Sequence, residues 1–172
     1  ISGLDLTNEA SHKNSNGSVK LMNQSSRSGE DERFGLLVLR HGSSNINDIK
    51  LDDIKISEIY PTPSNSDNNH QGYGIRFESL NDDSVLNYYD GIQLENLDIS
   101  NTGHYGIHIV NRMSGAQPDY YHRNIVIKDS KFNNTGGSGI VLARCKDVLV
   151  ENSECKGSGS GNDSRMWNRG SS

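Results

Sequence analysis

The stretch HRNIVIKDSKFNNTGGSGIVLARCKDVLVENSECKGSG, residues 122–159, contains one pattern twice. NIVIKDSKF and DVLVENSEC both alternate apolar and polar residues, and a glycine-rich turn follows each of them. The same pattern occurs upstream in DIKLDDIKI, residues 48–56, and in GIQLENLDI, residues 91–99. Four copies in one chain predict a repeat protein, in which each unit packs against its neighbours.

The alternation predicts short strands that each have one face in the core. A polar pair interrupts the pattern in the middle of each copy, which indicates a bend between two strands. Short polar side chains at such a bend can hydrogen-bond the local backbone and one another. The bend residues are Asp53, Asn96, Asp129 and Asn152. The positions predicted to face inward are Ile49, Leu51, Ile54, Ile56, Ile92, Leu94, Leu97, Ile99, Ile125, Ile127, Phe132, Val148, Val150 and Cys155.

A further strand follows each copy. These strands are GLLVL (35–39), GYGIRF (72–77), HYGIHI (104–109) and GSGIVL (137–142). Each unit then holds about three short strands, and the shortest spacing between units, from Ile125 to Val148, is 23 residues. A period in the low twenties with strands throughout is typical of a parallel β-helix. Leucine-rich repeats would need a helical segment in each unit, and a β-sandwich would not repeat the same bend residue.

The chain therefore resembles the right-handed parallel β-helix superfamily, the fold of pectate lyases, polygalacturonases and other carbohydrate-active proteins. We expect an all-β fold, a right-handed parallel β-helix that forms one domain over residues 1–172. ISGLDLTN, residues 1–8, matches only the second half of a unit, and the chain stops before the next expected strand. We thus expect a segment of a longer β-helix, incomplete at both ends.

Composition restricts the function classes. Acidic and basic residues are interspersed and the net charge is −5, so no basic stripe indicates a nucleic-acid partner. No apolar run is long enough to predict a membrane span. Cys145 and Cys155 lack metal-type spacing, and we expect Cys155 to be a buried thiol rather than half of a disulfide. The resemblance implies an extracellular or periplasmic protein, while the sequence leaves the oligomeric state open.

Aligning the second strands predicts an outward-facing column. Tyr73 falls beside Tyr105, and Arg76 falls beside His108. Ile75 and Ile107 should point inward, so Arg76 and His108 should point outward, in a column that Leu37 and Val141 continue. Insertions at residues 60–71, 78–90 and 110–123 lengthen the units, and such insertions often build a binding face.

The last two insertions each carry a Tyr-Tyr pair, Tyr88 with Tyr89 and Tyr120 with Tyr121. Aromatic side chains beside polar groups in a cleft suit stacking on sugar rings. An equally open alternative is that these tyrosines only anchor the long insertions to the stack.

Three chemistries remain open. A glycoside hydrolase needs two carboxyl groups that flank the bond, and Glu78 with Asp90 form the expected pair; Asp82, Asp83, Asp119 and Asp163 are further carboxylates near the insertions. A polysaccharide lyase needs a base and a cation that neutralises a uronate carboxylate. The third possibility is a carbohydrate-binding or adhesin solenoid without catalysis.

Family motifs do not choose among these reactions. NTGHYG, residues 101–106, matches the NTDG-type motif of polygalacturonases only superficially, and the Asp-Pro-His motif of alginate epimerases is absent. We expect a polysaccharide substrate and hydrolysis first, because carboxylates are abundant near the column. The candidate catalytic residues are Glu78, Asp90, His108 and Arg76. The candidate substrate-binding residues are Tyr73, Tyr105, Tyr89, Tyr120, Tyr121, Arg112 and His104. In a lyase, Arg76 or Arg112 would neutralise the substrate, and His108, His104 or Tyr105 would be the base.

Metal binding is only weakly indicated by the sequence. Asp52 with Asp53, and Asp82 with Asp83, offer oxygen ligands that suit calcium. Adjacent carboxylates are common on bends and loops, however, and the histidines lack zinc spacing. We therefore expect no required cofactor, with calcium as the open alternative.

Overall fold

A computed structural model of the protein describes residues 1–7, 33–40, 45–60, 72–80, 88–112 and 120–159. Every regular element in these ranges is a β-strand, as the sequence predicts. Within the same ranges, no helix has the length and apolar composition needed to cross a membrane. The strands are β1 (Ser2–Thr7), β2 (Arg33–Arg40), β3 (Ile46–Ile59), β4 (Gly72–Leu80), β5 (Tyr89–Thr102), β6 (Ile107–Arg112), β7 (His122–Lys128), β8 (Lys131–Thr135), β9 (Ile140–Ala143), β10 (Cys145–Glu151) and β11 (Glu154–Lys156).

These strands form two parallel sheets. The first sheet has the order β1-β3-β5-β7-β10, with β8 pairing β5 and β11 pairing β8. The second sheet has the order β2-β4-β6-β9. All pairs are parallel, and the chain visits the two sheets in turn. Successive sequence units are therefore neighbours in space, which confirms the predicted repeat.

The core contains side chains from both sheets, packed in columns along the direction of stacking. Leu51 aligns with Leu94, and Leu94 aligns with Ile127. All three are at most 1% exposed and belong to one apolar cluster with Ile75 and Phe77 of the second sheet. Burial of each such side chain stabilises the fold by about 1.5–3 kcal/mol. The inward positions predicted for β3, β5, β7 and β8 are confirmed, except that Ile49 is only half-buried.

The prediction of inward burial fails in the last unit. Val148 is 39% exposed and Val150 is 46% exposed, although both continue core columns. The expectation of a buried Cys155 thiol is also wrong, because Cys155 is exposed, although it is free and not in a disulfide. These residues lie on β10 and β11, which pair with neighbours on one side only within the described residues.

Three columns of residues with positive φ divide the first sheet at five-residue intervals. Their φ angles lie between 49° and 80°, the left-handed region that Gly, Asn and Asp tolerate best. The columns are Asp48, Gly91, Asn124 and Asp147; Asp53, Asn96, Asp129 and Asn152; and Glu58, Asn101, Asn134 and Gly157. The middle column confirms the predicted bend, and the outer two columns were not predicted.

Side-chain hydrogen bonds connect these bends from one unit to the next. The Asn101 amide donates to the Glu58 carboxylate, and the Asn134 amide donates to Asn101 Oδ1 at 2.6 Å. In the middle column, the Asn96 amide donates to Asp52 Oδ1 at 2.8 Å. Side-chain hydrogen bonds between units therefore support the bends at Asn96, Asn101 and Asn134.

A column of glycines shapes the second sheet. A Cβ atom on Gly74 would lie 2.5 Å from the Gly106 carbonyl oxygen and 2.5 Å from Ile99 Cγ2 in the core. Gly74 therefore faces inward, as does the buried Ile75 that follows it. Two consecutive inward positions mean that the backbone turns a corner there, because a straight strand would alternate. Tyr73 consequently faces outward, on the same side as Arg76.

Replacement of Asn101 tests the bend ladder. We expect Asn101→Leu to lower the free energy of unfolding more than Asn101→Gly, because only leucine carries the left-handed backbone penalty of about 1–2 kcal/mol. Both variants lose the same amide hydrogen bonds. Urea denaturation of the two variants and the parent measures the difference. Equal losses in the two variants would contradict the positive-φ assignment of this bend.

Candidate functional site

The predicted outward column exists on the second sheet. Leu37 aligns with Arg76, Arg76 with His108, and His108 with Val141. Ile75 and Ile107, which precede Arg76 and His108, are completely buried in the core. The register predicted by aligning GYGIRF with HYGIHI is therefore confirmed.

Five rings gather around this column. The Tyr73 ring stacks on the His108 ring with centroids 5.4 Å apart and on Phe34 with centroids 5.6 Å apart. His104 and Tyr105 stack with centroids 3.6 Å apart, and the edge of Tyr105 meets His108 at 5.1 Å. Tyr73 and His104 are buried, whereas Tyr105 and His108 are partly exposed. The candidate residues Tyr73, His104, Tyr105 and His108 thus form one aromatic cluster.

The pKa shifts of His104 and Tyr105 distinguish these two candidate bases from the third, His108. Burial, followed by the nearby charges of His108 and Arg76, lowers the pKa of His104 to about 2. Burial raises the pKa of the Tyr105 hydroxyl. His104 is therefore a neutral but very weak base, and Tyr105 is a hydrogen-bond donor at neutral pH. His108 is the remaining base candidate of the three.

Arg76 and Glu78 differ from expectation because they are covered. Their side chains are only 1% and 2% exposed, and Arg76 Nε lies 3.2 Å from Glu78 Oε2. The guanidinium carbon of Arg76 lies 4.7 Å from the centroid of the Tyr73 ring. The direction predicted for Arg76 is correct, but its expected accessibility is not. Removal of one partner from a buried ion pair of this kind strongly destabilises the fold, because the other charge stays buried without compensation.

Tyr89 lies in the core rather than at a surface. Its side chain is completely buried, and its hydroxyl donates to the Val38 carbonyl at 2.9 Å and to the Glu78 carbonyl at 3.0 Å. The expectation that Tyr89 contacts a ligand is corrected by this position. Because side chains alternate along a strand, the outward member of this pair is Tyr88, which is partly exposed.

Asp90, the expected partner of Glu78, belongs to the first sheet. Its Oδ1 accepts a hydrogen bond from the Asn124 amide at 2.7 Å. Glu78 lies on the second sheet and is held by Arg76. Each carboxylate of the expected pair therefore has a different partner.

Two of the remaining candidates, Tyr120 and Tyr121, are partly exposed just before β7. The backbone of Arg112 aligns with Leu80 at the end of β6, while its side chain lies outside the described part of the protein. Asp82, Asp83, Asp119 and Asp163 also lie outside the described residues.

The calcium alternative gains no support from the described ranges. They contain no group of three or more His, Cys, Asp or Glu side chains that could hold a metal ion. Asp52 accepts from Asn96 and lies 3.7 Å from Lys50 Nζ, and Asp53 is a bend residue. The groove beside this bend, with a volume of about 330 Å³, is lined by polar residues that include Asp5, Asn96 and Asp98.

His122 is a buried titratable residue that the sequence analysis did not single out. It is completely buried, and its Nδ1 accepts a hydrogen bond from the Tyr89 amide at 3.1 Å. This acceptor role assigns the proton of the neutral ring to Nε2. Burial lowers the pKa of His122 to about 4, although the Val110 backbone opposes the shift. Alternation counted back from Ile125 would have placed Arg123 rather than His122 inward, because the left-handed Asn124 between them shifts the phase by one residue.

Comparison with known proteins identifies no relatives. No family model matches the chain, and no curated protein and no solved structure matches it.

His122 makes the stability of the fold depend on pH. Its folded pKa of about 4 lies below the ordinary value of 6.5, so between these values the unfolded chain binds a proton that the native protein does not. We expect the free energy of unfolding to fall as pH drops through this window, by up to about 3 kcal/mol from this residue.

Asn at position 122 supplies the matched variant, because its side-chain oxygen can accept from the Tyr89 amide without titrating. Urea denaturation of parent and His122→Asn at pH 7 and pH 4.5 measures the difference. We expect the free energy of unfolding to fall less between pH 7 and pH 4.5 in the variant than in the parent. Some loss remains in the variant, because His104 contributes to the pH dependence of both proteins. Identical acid losses would show that His122 does not carry this dependence.

Proposed function

We propose that this protein is a right-handed parallel β-helix that binds a polysaccharide through the aromatic cluster of Tyr73, His104, Tyr105 and His108. Successive strands of the first sheet are joined through strands of the second sheet. Connections of this kind between parallel strands are right-handed in nearly all proteins. A polysaccharide partner also implies an extracellular or periplasmic setting.

The observation that carries the proposal is the layered arrangement of the rings. Tyr105 and His108 are partly exposed, while the buried rings of Tyr73 and His104 lie behind them. An exposed ring that packs against a buried ring loses little conformational freedom when it binds. It offers an apolar face to a sugar ring and a polar edge to the hydroxyl groups.

The protonation states of the cluster also suit neutral hydrogen bonding. The raised pKa of Tyr105 keeps its hydroxyl protonated, and the low pKa of His104 keeps that ring uncharged. Sugar hydroxyl groups both donate and accept hydrogen bonds, so they can pair with the hydroxyl of the partly exposed Tyr105. This combination favours recognition of a sugar over attack on one.

Cleavage by elimination is the second candidate. His108, the base candidate left by the pKa shifts of the other two, contacts the Tyr105 ring and lies beside Arg76 in the column. Elimination needs such a base together with a cation that neutralises the substrate carboxylate. Arg76 is already paired with Glu78, which weakens this role. Hydrolysis has less support, because Glu78 is buried in that ion pair and Asp90 bonds Asn124.

Variants of Tyr105 test the proposal directly. We expect Tyr105→Ala to weaken polysaccharide binding about tenfold, because a stacking ring is lost. Tyr105→Phe keeps the ring and is the matched control, for which we expect near-parental binding. Affinity electrophoresis against a panel of neutral and acidic polysaccharides gives the dissociation constants, and circular dichroism checks the fold.

The same panel separates binding from cleavage. Reducing ends and absorbance near 235 nm are recorded together for the parent and for His108→Ala. Absorbance that the variant abolishes would establish elimination, and reducing ends without absorbance would establish hydrolysis. Failure of the parent to bind any member of the panel would contradict the proposed function.

A further inference from the structure

A second group of aromatic and charged side chains lies where β5, β7 and β10 begin. Asp90 aligns with Arg123, and Arg123 aligns with Lys146. The residues before these positions are also neighbours, because the Tyr89 amide donates to His122 Nδ1 at 3.1 Å and the two rings touch. Tyr88 and Tyr121 each come one residue before this pair, at equivalent positions of adjacent units.

These two tyrosines point away from the core. Tyr89 and His122, the first residues of β5 and β7, are both completely buried. Tyr88 and Tyr121, which come directly before these strands, are each partly exposed. Arg123 follows the buried His122 and faces outward, because side chains alternate along a strand.

Arg123 has a positive charge that no carboxylate of the described residues neutralises. Its guanidinium carbon lies 4.1 Å from the centroid of the Tyr88 ring, a cation–π arrangement that holds the group over the ring. The nearest carboxylate in register is Asp90, whose Oδ1 instead accepts from the Asn124 amide at 2.7 Å. Among the described residues, no ion pair engages Arg123. The exposed Lys146 beside it adds a second positive charge.

We infer that Tyr88, Tyr121 and Arg123 form a subsite for an acidic sugar, so that the polysaccharide carries carboxylate or sulfate groups. A guanidinium presents a planar set of donors that matches either group. The tyrosine rings beside it can pack against the sugar that bears the charge. This inference rests on the proposed function and specifies its substrate class.

The subsite lies close to the aromatic cluster along the chain. In the shortest unit, Val141 aligns with His108, and Arg144 follows three residues later. The Arg144 carbonyl accepts from the His122 amide at 3.0 Å, which puts Arg144 beside Tyr121 in register. Three residues span at most about 10 Å. One polymer chain can therefore reach both surfaces across this corner.

Charge-selective binding tests the inference. The probes are alginate, hyaluronate, polygalacturonate and chondroitin sulfate, each compared with a neutral derivative in which the carboxylates are reduced and any sulfates removed. For at least one acidic probe we expect the parent to bind about tenfold more tightly than it binds the neutral derivative. We expect Arg123→Gln to abolish that difference while leaving binding of the neutral derivative unchanged.

Two controls make the result specific. Lys131→Gln changes net charge equally at an exposed position on β8, and we expect it to retain the preference. Single-stranded DNA serves as an unrelated polyanion. Binding of DNA as tight as that of the acidic probe, and equally weakened by Arg123→Gln, would overturn the inference in favour of general polyanion attraction.

The remaining outcomes separate the inference from the proposed function. Equal binding of acidic and neutral forms, with no effect of Arg123→Gln, would overturn the acidic subsite and leave the aromatic cluster as the binding site. Loss of the charge preference in Lys131→Gln as well would also overturn it. No binding of any probe, acidic or neutral, would overturn both.

Discussion

The rest of the structure depends on the in-register parallel pairing of successive units. Each strand of a unit pairs with the equivalent strand of the next, so a side chain in one unit lies about 4.8 Å from its counterpart. Because of this pairing, a side-chain direction or a bend in one unit recurs at the same place in the next unit. An inward apolar residue becomes a column of the core, and a polar bend becomes a hydrogen-bonded ladder.

The left-handed residues at five-residue intervals maintain this register in the first sheet. A left-handed conformation costs an ordinary residue about 1–2 kcal/mol, so Asn, Asp and Gly occupy most of these positions. Asn101 and Asn134 also bond across units, which offsets part of that cost. A shift of register would break these bonds and would also bring polar residues into the core. The bends therefore specify the fold as well as stabilising it.

The glycine column has a comparable role in the second sheet, where it determines the candidate site. The close approach of Gly74 to Gly106 leaves no room for a side chain, and the corner that follows directs Tyr73 outward. Tyr73 then lies between Phe34 and His108 and against Arg76. A constraint of backbone packing thus assembles the rings. The buried Arg76–Glu78 ion pair lies beside these rings, and burial lowers the pKa of His104 to about 2.

Two surfaces of different character result on either side of one corner of the stack. The aromatic cluster presents the partly exposed rings of Tyr105 and His108, whereas Arg123 beside Tyr88 carries a charge that no carboxylate of the described residues neutralises. Their proximity follows from the chain itself, since the shortest unit passes from one to the other within a few residues.

The sequence by itself determined the repeat, most of the core columns, the middle bend column and the alignment of Arg76 with His108. These features recur in successive units even though the units differ in length, so alignment of the units reveals them. Only the tertiary structure decided that Arg76 and Glu78 are covered, that Cys155 is exposed, and that Tyr88 rather than Tyr89 faces outward. Burial depends on atoms distant in sequence and on whether a neighbouring unit covers the strand. Short-range alternation cannot report either, and the left-handed Gly91 shifts the phase of the alternation between Tyr89 and Ile92, so the pattern of β5 does not predict that Tyr89 is the inward tyrosine.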